Sequence, residues 1–136
     1  MNIWIILLAV IVQFVIGFVW YTVFFGKIWG KMHGFDKLDQ KQQKEMQAKM
    51  GPWYAVQLLL TLSTTVVLAV LLDRNYDYST YTLVALLWVG FTLPAQASAA
   101  IFGGAPEGYI WHKIIISSAC SFISYLATAA ILQMIN

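Results

Sequence analysis

Residues 52–72 read PWYAVQLLLTLSTTVVLAVLL, without a single charged side chain. A helix needs roughly 20 mostly apolar residues to cross the hydrocarbon core of a bilayer, and this stretch has that length. Three further segments meet the same test. They run from about Asn2 to Phe25, from Ser79 to Phe102 and from Tyr109 to Ile135, the last with His112 and Lys113 at its start. In lipid only helices and closed barrels satisfy every backbone polar group. Barrel strands alternate apolar and polar residues, and these segments do not. The expected fold is all-α: a four-transmembrane-helix bundle in one membrane domain, residues 1–136.

Composition agrees. The chain is 60% hydrophobic and 10% charged, against about 45–50% and about 25% for a soluble domain. The net charge of +2 gives no electrostatic case for nucleic-acid binding. Cys120 is the single cysteine, so no intrachain disulfide is possible; in its apolar setting it reads as a small buried hydrophobe. The first segment lacks the basic leader and small-residue cleavage site of a signal peptide, and ends in Tyr21-Thr22-Val23-Phe24-Phe25. It reads as a permanent span.

Basic residues set the expected orientation. Lys27, Lys31, Lys37, Lys41, Lys44 and Lys49 fall in the first connection, Arg74 in the second and Lys113 after the third. The lysine-rich side is expected in the cytoplasm, with both termini facing outward, into a periplasm or the extracellular space. Trp29, Trp53, Tyr54, Tyr109 and Trp111 then mark the inner interface, and Trp4, Tyr76, Tyr78 and Tyr81 the outer one.

The connections differ in kind. Asp73 to Tyr78 is short, so the second and third spans are expected to be antiparallel neighbours. Between the first two spans, Ile28, Met32 and Phe35 recur at helical spacing and predict a short amphipathic helix on the inner surface. Gly34 breaks it. Asp36 or Asp39 caps a second helix, rich in Lys and Gln, to about Met50, and Gly51-Pro52 opens the next span. This basic segment reads either as a docking element or as an anchor against anionic lipid.

No Asp, Glu, Lys or Arg lies within the interior of any span, which argues against a proton-coupled mechanism built on a buried carboxylate. The intramembrane polar groups form four helical stripes instead: Ala9-Gln13-Gly17-Tyr21, Gln57-Thr61-Thr64-Thr65, Trp88-Thr92-Gln96-Ala100 and Ser117-Ser121-Ser124-Thr128. An unpaired amide in hydrocarbon costs several kcal/mol, so each stripe is expected to face inward. Gln57 and Gln96 lie at similar depth and are expected to meet. Gln13, Gln57, Thr61, Trp88, Gln96 and Ser117 are therefore the candidate lining of a polar cavity. The competing reading is interhelical glue.

Ala95, Ala99 and Gly103 form a small-residue seam that permits close helix approach, within the bundle or between subunits of a homo-oligomer. Pro94 predicts a kink in the third span. Gly103-Gly104-Ala105-Pro106-Glu107-Gly108 predicts a tight turn. Glu107, His112 and His33 form a candidate site at the inner edge. A carboxylate and two imidazoles bind metals or move protons, though their spacing demands neither.

Gly17-Phe18-Val19-Trp20-Tyr21, followed by Phe24-Phe25-Gly26-Lys27-Ile28-Trp29, is distinctive. With Trp88-Val89-Gly90-Phe91 and Ile101-Phe102-Gly103, it resembles the bacterial small integral membrane protein family catalogued as domain of unknown function 1761. The resemblance implies a four-span bacterial membrane protein and brings no catalytic residues. Gly17-Phe18, Phe25-Gly26 and Ile28-Trp29-Gly30-Lys31 also echo Gly90-Phe91, Phe102-Gly103 and Ile110-Trp111-His112-Lys113. A parallel two-by-two repeat, as in some transporters, would produce that echo.

Two functions follow as expectations. One is an oligomeric small-solute transporter or channel-like bundle, its small-molecule ligand unidentified. The other is a non-transport scaffold or accessory protein that binds a partner or lipid. No cofactor motif, metal-ligand spacing or nucleophile–base pair is visible, so enzymatic activity is not expected.

Overall fold

In a computed structural model, residues 2–74, 77–104, 106 and 108–135 are described. The first span is α1 (Ile3–Val19), continued by a π-helical turn at Trp20–Phe24. A short helix, α2 (Gly26–Met32), a 3₁₀ turn (Phe35–Lys37) and α3 (Gln40–Lys49) lead to the second span, α4 (Gly51–Leu72). The third span comprises α5 (Thr80–Leu87), a second π-helical turn (Trp88–Thr92) and α6 (Leu93–Phe102). The fourth is α7 (Ile110–Leu132), closed by a 3₁₀ turn at Gln133–Ile135. All four are long and apolar enough to cross a membrane, and their limits fall close to those expected from hydropathy.

The caps explain the limits. Asn2 accepts from the Trp4 amide at 3.0 Å. Asp39, rather than Asp36, caps α3: its Oδ1 accepts from the Gln42 amide at 2.7 Å, while Gln42 Oε1 accepts from the Asp39 amide at 3.2 Å. This reciprocal box satisfies two amides that the first turn would leave open. Gly34, at φ +71°, takes the left-handed conformation that ends α2. Pro52 stands in the first turn of α4, where its missing N–H leaves no bond unmade.

The fourth span is the hub. It packs along the first span and along both halves of the third, and the first span packs in turn on the second. Ile6, Leu68, Ala69, Val84, Ala129 and Leu132 form a buried cluster contributed by all four spans. The cluster lies toward the end of the bundle that carries the termini. Toward the lysine-rich end Ala100, Ile114, Ile116 and Cys120 stay buried, but the second span departs: every residue from Gly51 to Leu60 is exposed.

That departure corrects two expectations. The second and third spans are joined by a short connection, yet they touch mainly at its end, through α4 and α5. A two-fold relating the two helix pairs would pack the second span on the third as the first packs on the fourth. The first contact is slight and the second extensive, so the echoed sequences do not form a two-by-two repeat.

The aromatics expected at the interfaces stand at or near the span ends. Trp4, Trp53, Tyr54, Tyr78, Tyr81 and Trp111 are exposed at the span ends, whereas Trp29 and Tyr109 are partly buried. Tyr76 lies outside the described residues.

Candidate functional site

The polar stripes turn inward in three spans and pair across helices. Gln13 Nε2 donates to Thr65 Oγ1 at 2.7 Å, linking the first and second spans. Gln96 Nε2 donates to Ser121 Oγ at 2.6 Å, and the Thr92 and Tyr125 hydroxyls share a bond of 2.7 Å, linking the third and fourth. Thr61, Thr65, Ser121 and Thr128 each donate to the carbonyl four residues back, as hydroxyls in apolar helices do. Tyr21 lies beside Ser117 and Cys120.

The expected cavity is not assembled. Gln57 is exposed, and its amide donates to Thr61 Oγ1 of its own helix at 3.2 Å. Gln96 and Trp88 are engaged with the fourth span instead. Gln57 and Gln96 share a depth, but the outward course of α4 separates them. Gln13, Thr61 and Ser117 keep their inward positions, each spoken for by a neighbour. Gln96 Oε1 is buried without a partner. The small-residue seam also faces away from the bundle: Ala95, Ala99 and Gly103 are all exposed.

Two tryptophans, Trp88 of the expected lining and Trp20 outside it, set the geometry around the fourth span. Each opens a π-helical turn, and each turn closes through a bond spanning five residues: the Phe25 amide to Trp20 O, and the Leu93 amide to Trp88 O. The indole N–H of Trp20 donates to Ile116 O and that of Trp88 to Ser118 O, both at 2.9 Å. The first and third spans thus grip one turn of α7, at carbonyls two residues apart, by the same device. The wide turn in the third span directly precedes Pro94, whose missing N–H would break the α-helical ladder. The predicted irregularity takes that form.

At the lysine-rich end α2 folds under the bundle. Met32 is buried, and the Trp29 ring packs on Tyr21 and on His33, each with centroids 4.6 Å apart. Lys113 Nζ sits 5.9 Å from the Trp29 ring centroid, a cation–π contact that ties α2 to the head of α7. Between them opens a cleft of about 800 Å³. Lys27, Ile28 and Lys31 line one side, Asp36 an edge, and Gly108, Tyr109 and His112 the other side.

The expected inner-edge trio is therefore only partly gathered. His112 lines the cleft and stacks on Tyr109 at 5.5 Å. His33 lies outside that lining; its Nδ1 is 2.9 Å from Trp29 O. Glu107 lies outside the described residues. Among the described residues no three His, Cys, Asp or Glu side chains are grouped to hold a metal.

Residues 4–133 match the family described as Protein of unknown function (DUF1761). The chain belongs to that family. No curated protein and no solved structure matches it. The stretches that carry the DUF1761 resemblance fall on the working parts of this geometry: Trp20 and Trp88 open the two π-turns, and Gly26-Lys27-Ile28-Trp29 begins α2. Hydropathy alone missed Tyr125, Lys27 and Lys31 as contact or cleft residues, and placed Thr65 on an inward stripe without its partner. The spacing of Lys27 and Lys31, one turn apart on a short helix, was the signal available for the two lysines.

Proposed function

We propose that the protein is a non-transporting accessory protein of the bacterial cytoplasmic membrane. It docks another transmembrane helix, first of all that of a second copy, and carries out no chemical reaction. The observation that supports this is the inner half of α4. Gly51–Leu60 is exposed on every face, with Gln57 among its residues. A helix turned wholly to lipid has no use for a glutamine, since an amide in hydrocarbon seeks a partner. The complementary surface is on the same molecule: Ala95 and Ala99 occupy the last two turns of α6, and Leu58 lies two turns into α4, so ridge and groove share a depth. Small residues let such helices approach closely.

The orientation that goes with this reading puts the lysine-rich end in the cytoplasm and both termini outside. Transport is the second reading, and Gln57 and Ser98, both exposed, favour it in one form. In an oligomer they would line a path between subunits. Flux assays on proteoliposomes separate the two. The expected result is no uptake above empty liposomes across a panel of neutral and ionic small solutes. Uptake that is lost in Gln57→Leu would overturn the accessory role and establish the intersubunit path.

A further inference from the structure

We propose that the cleft between α2 and the head of α7 is a binding site for the phosphate of an anionic phospholipid headgroup. The lining supplies the chemistry. Lys27 and Lys31 stand one turn apart on α2 and both face the cleft. Tyr109, just before α7, and His112, in its first turn, face them with further hydrogen-bonding groups. Among the described residues the lining carries two lysines and the single carboxylate of Asp36. Lys113, held over the Trp29 ring, adds a cation beside the cleft.

Position selects lipid over a soluble phosphate. The cleft lies just beyond Phe24, where the first span ends, and beside Ile110, where the fourth begins. This is headgroup height for the leaflet at the lysine-rich end. The flanking surface suits acyl chains: Phe24 is 65% exposed, Trp111 74% and Ile115 62%. Basic pockets between helices at this depth hold anionic headgroups. Gly108, at φ +90°, turns the chain into α7 at the cleft wall, where a side chain in its place would be strained. The site is independent of any partner on α4.

Native mass spectrometry of the full chain tests it, in mixed micelles of equal phosphatidylglycerol and phosphatidylcholine with matched acyl chains. The intact protein retains phosphatidylglycerol about tenfold in preference. K27Q/K31Q loses that preference, K27R/K31R keeps it, and K41Q/K44Q, with the same charge change on α3, keeps it too. Circular dichroism and elution volume confirm that each variant is folded. Preference retained by K27Q/K31Q, or lost equally in K41Q/K44Q, would overturn the site. Added inorganic phosphate or glycerol phosphate leaves the adduct in place; displacement by either would overturn the lipid assignment in favour of a soluble phosphate ligand.

Discussion

At the scale of single residues, the bundle is held by a few polar pairs whose worth depends on what each leaves behind. Gln13 uses its amide N–H on Thr65 and on Ala9 O. Replacing it by leucine strips the described polar link between the first two spans. Gln13→Leu is expected to cost about 0.5–1.5 kcal/mol, the range of interhelical hydrogen bonds in membranes. Gln96 differs, since its Oε1 is buried without a partner. Gln96→Leu loses one bond and also removes an unsatisfied acceptor, so its cost is expected to fall within about 0.5 kcal/mol of zero. Thermal unfolding of the two variants in one detergent checks the contrast. Both glutamines stood out in the sequence because amides are rare in apolar runs. Their partners did not: hydropathy gives a residue's depth in the membrane and says nothing of the rotation that chooses its neighbour.

At the scale of elements, spans, caps and the interfacial helix follow from local chemistry, and the two π-turns do not. Pro94 announces an irregularity in the third span. Nothing comparable marks Trp20–Phe24, whose aromatic run fits an α-helix equally well. The turns become intelligible only with α7 in place, because a fifth residue in the turn aims the indole at a carbonyl there. Trp20→Phe and Trp88→Phe should each lower stability by about 1 kcal/mol through the lost N–H···O bond, and the pair together should cost about the sum, since each bonds a different carbonyl. Thermal unfolding of the singles and the double measures it. Gly34 has open space where a Cβ would go, so only its positive φ resists substitution. Gly34→Ala should therefore cost about 1 kcal/mol locally. Hydrogen exchange should show α2 amides opening about fivefold more often and the spans unchanged.

At the scale of the whole molecule, four spans were legible from hydropathy because a bilayer fixes both the length and the polarity of anything that crosses it. The order of neighbours was not. A short connection placed the second and third spans together, and they are together at that connection. At the other end the second span is exposed, while the first and fourth spans stay packed on each other. That exposure turns Gln57 from a cavity residue into a surface one, and with it the proposed reading from an oligomeric channel-like bundle to a helix held out for another. Cysteine cross-linking in native membranes tests this most directly, with the buried Cys120 replaced by alanine and Leu58 and Ala95 both replaced by cysteine. The account predicts that a short bifunctional thiol reagent yields covalent dimers. An intrachain cross-link between the two positions, with the protein remaining monomeric, would show the second and third spans closed on each other and contradict it.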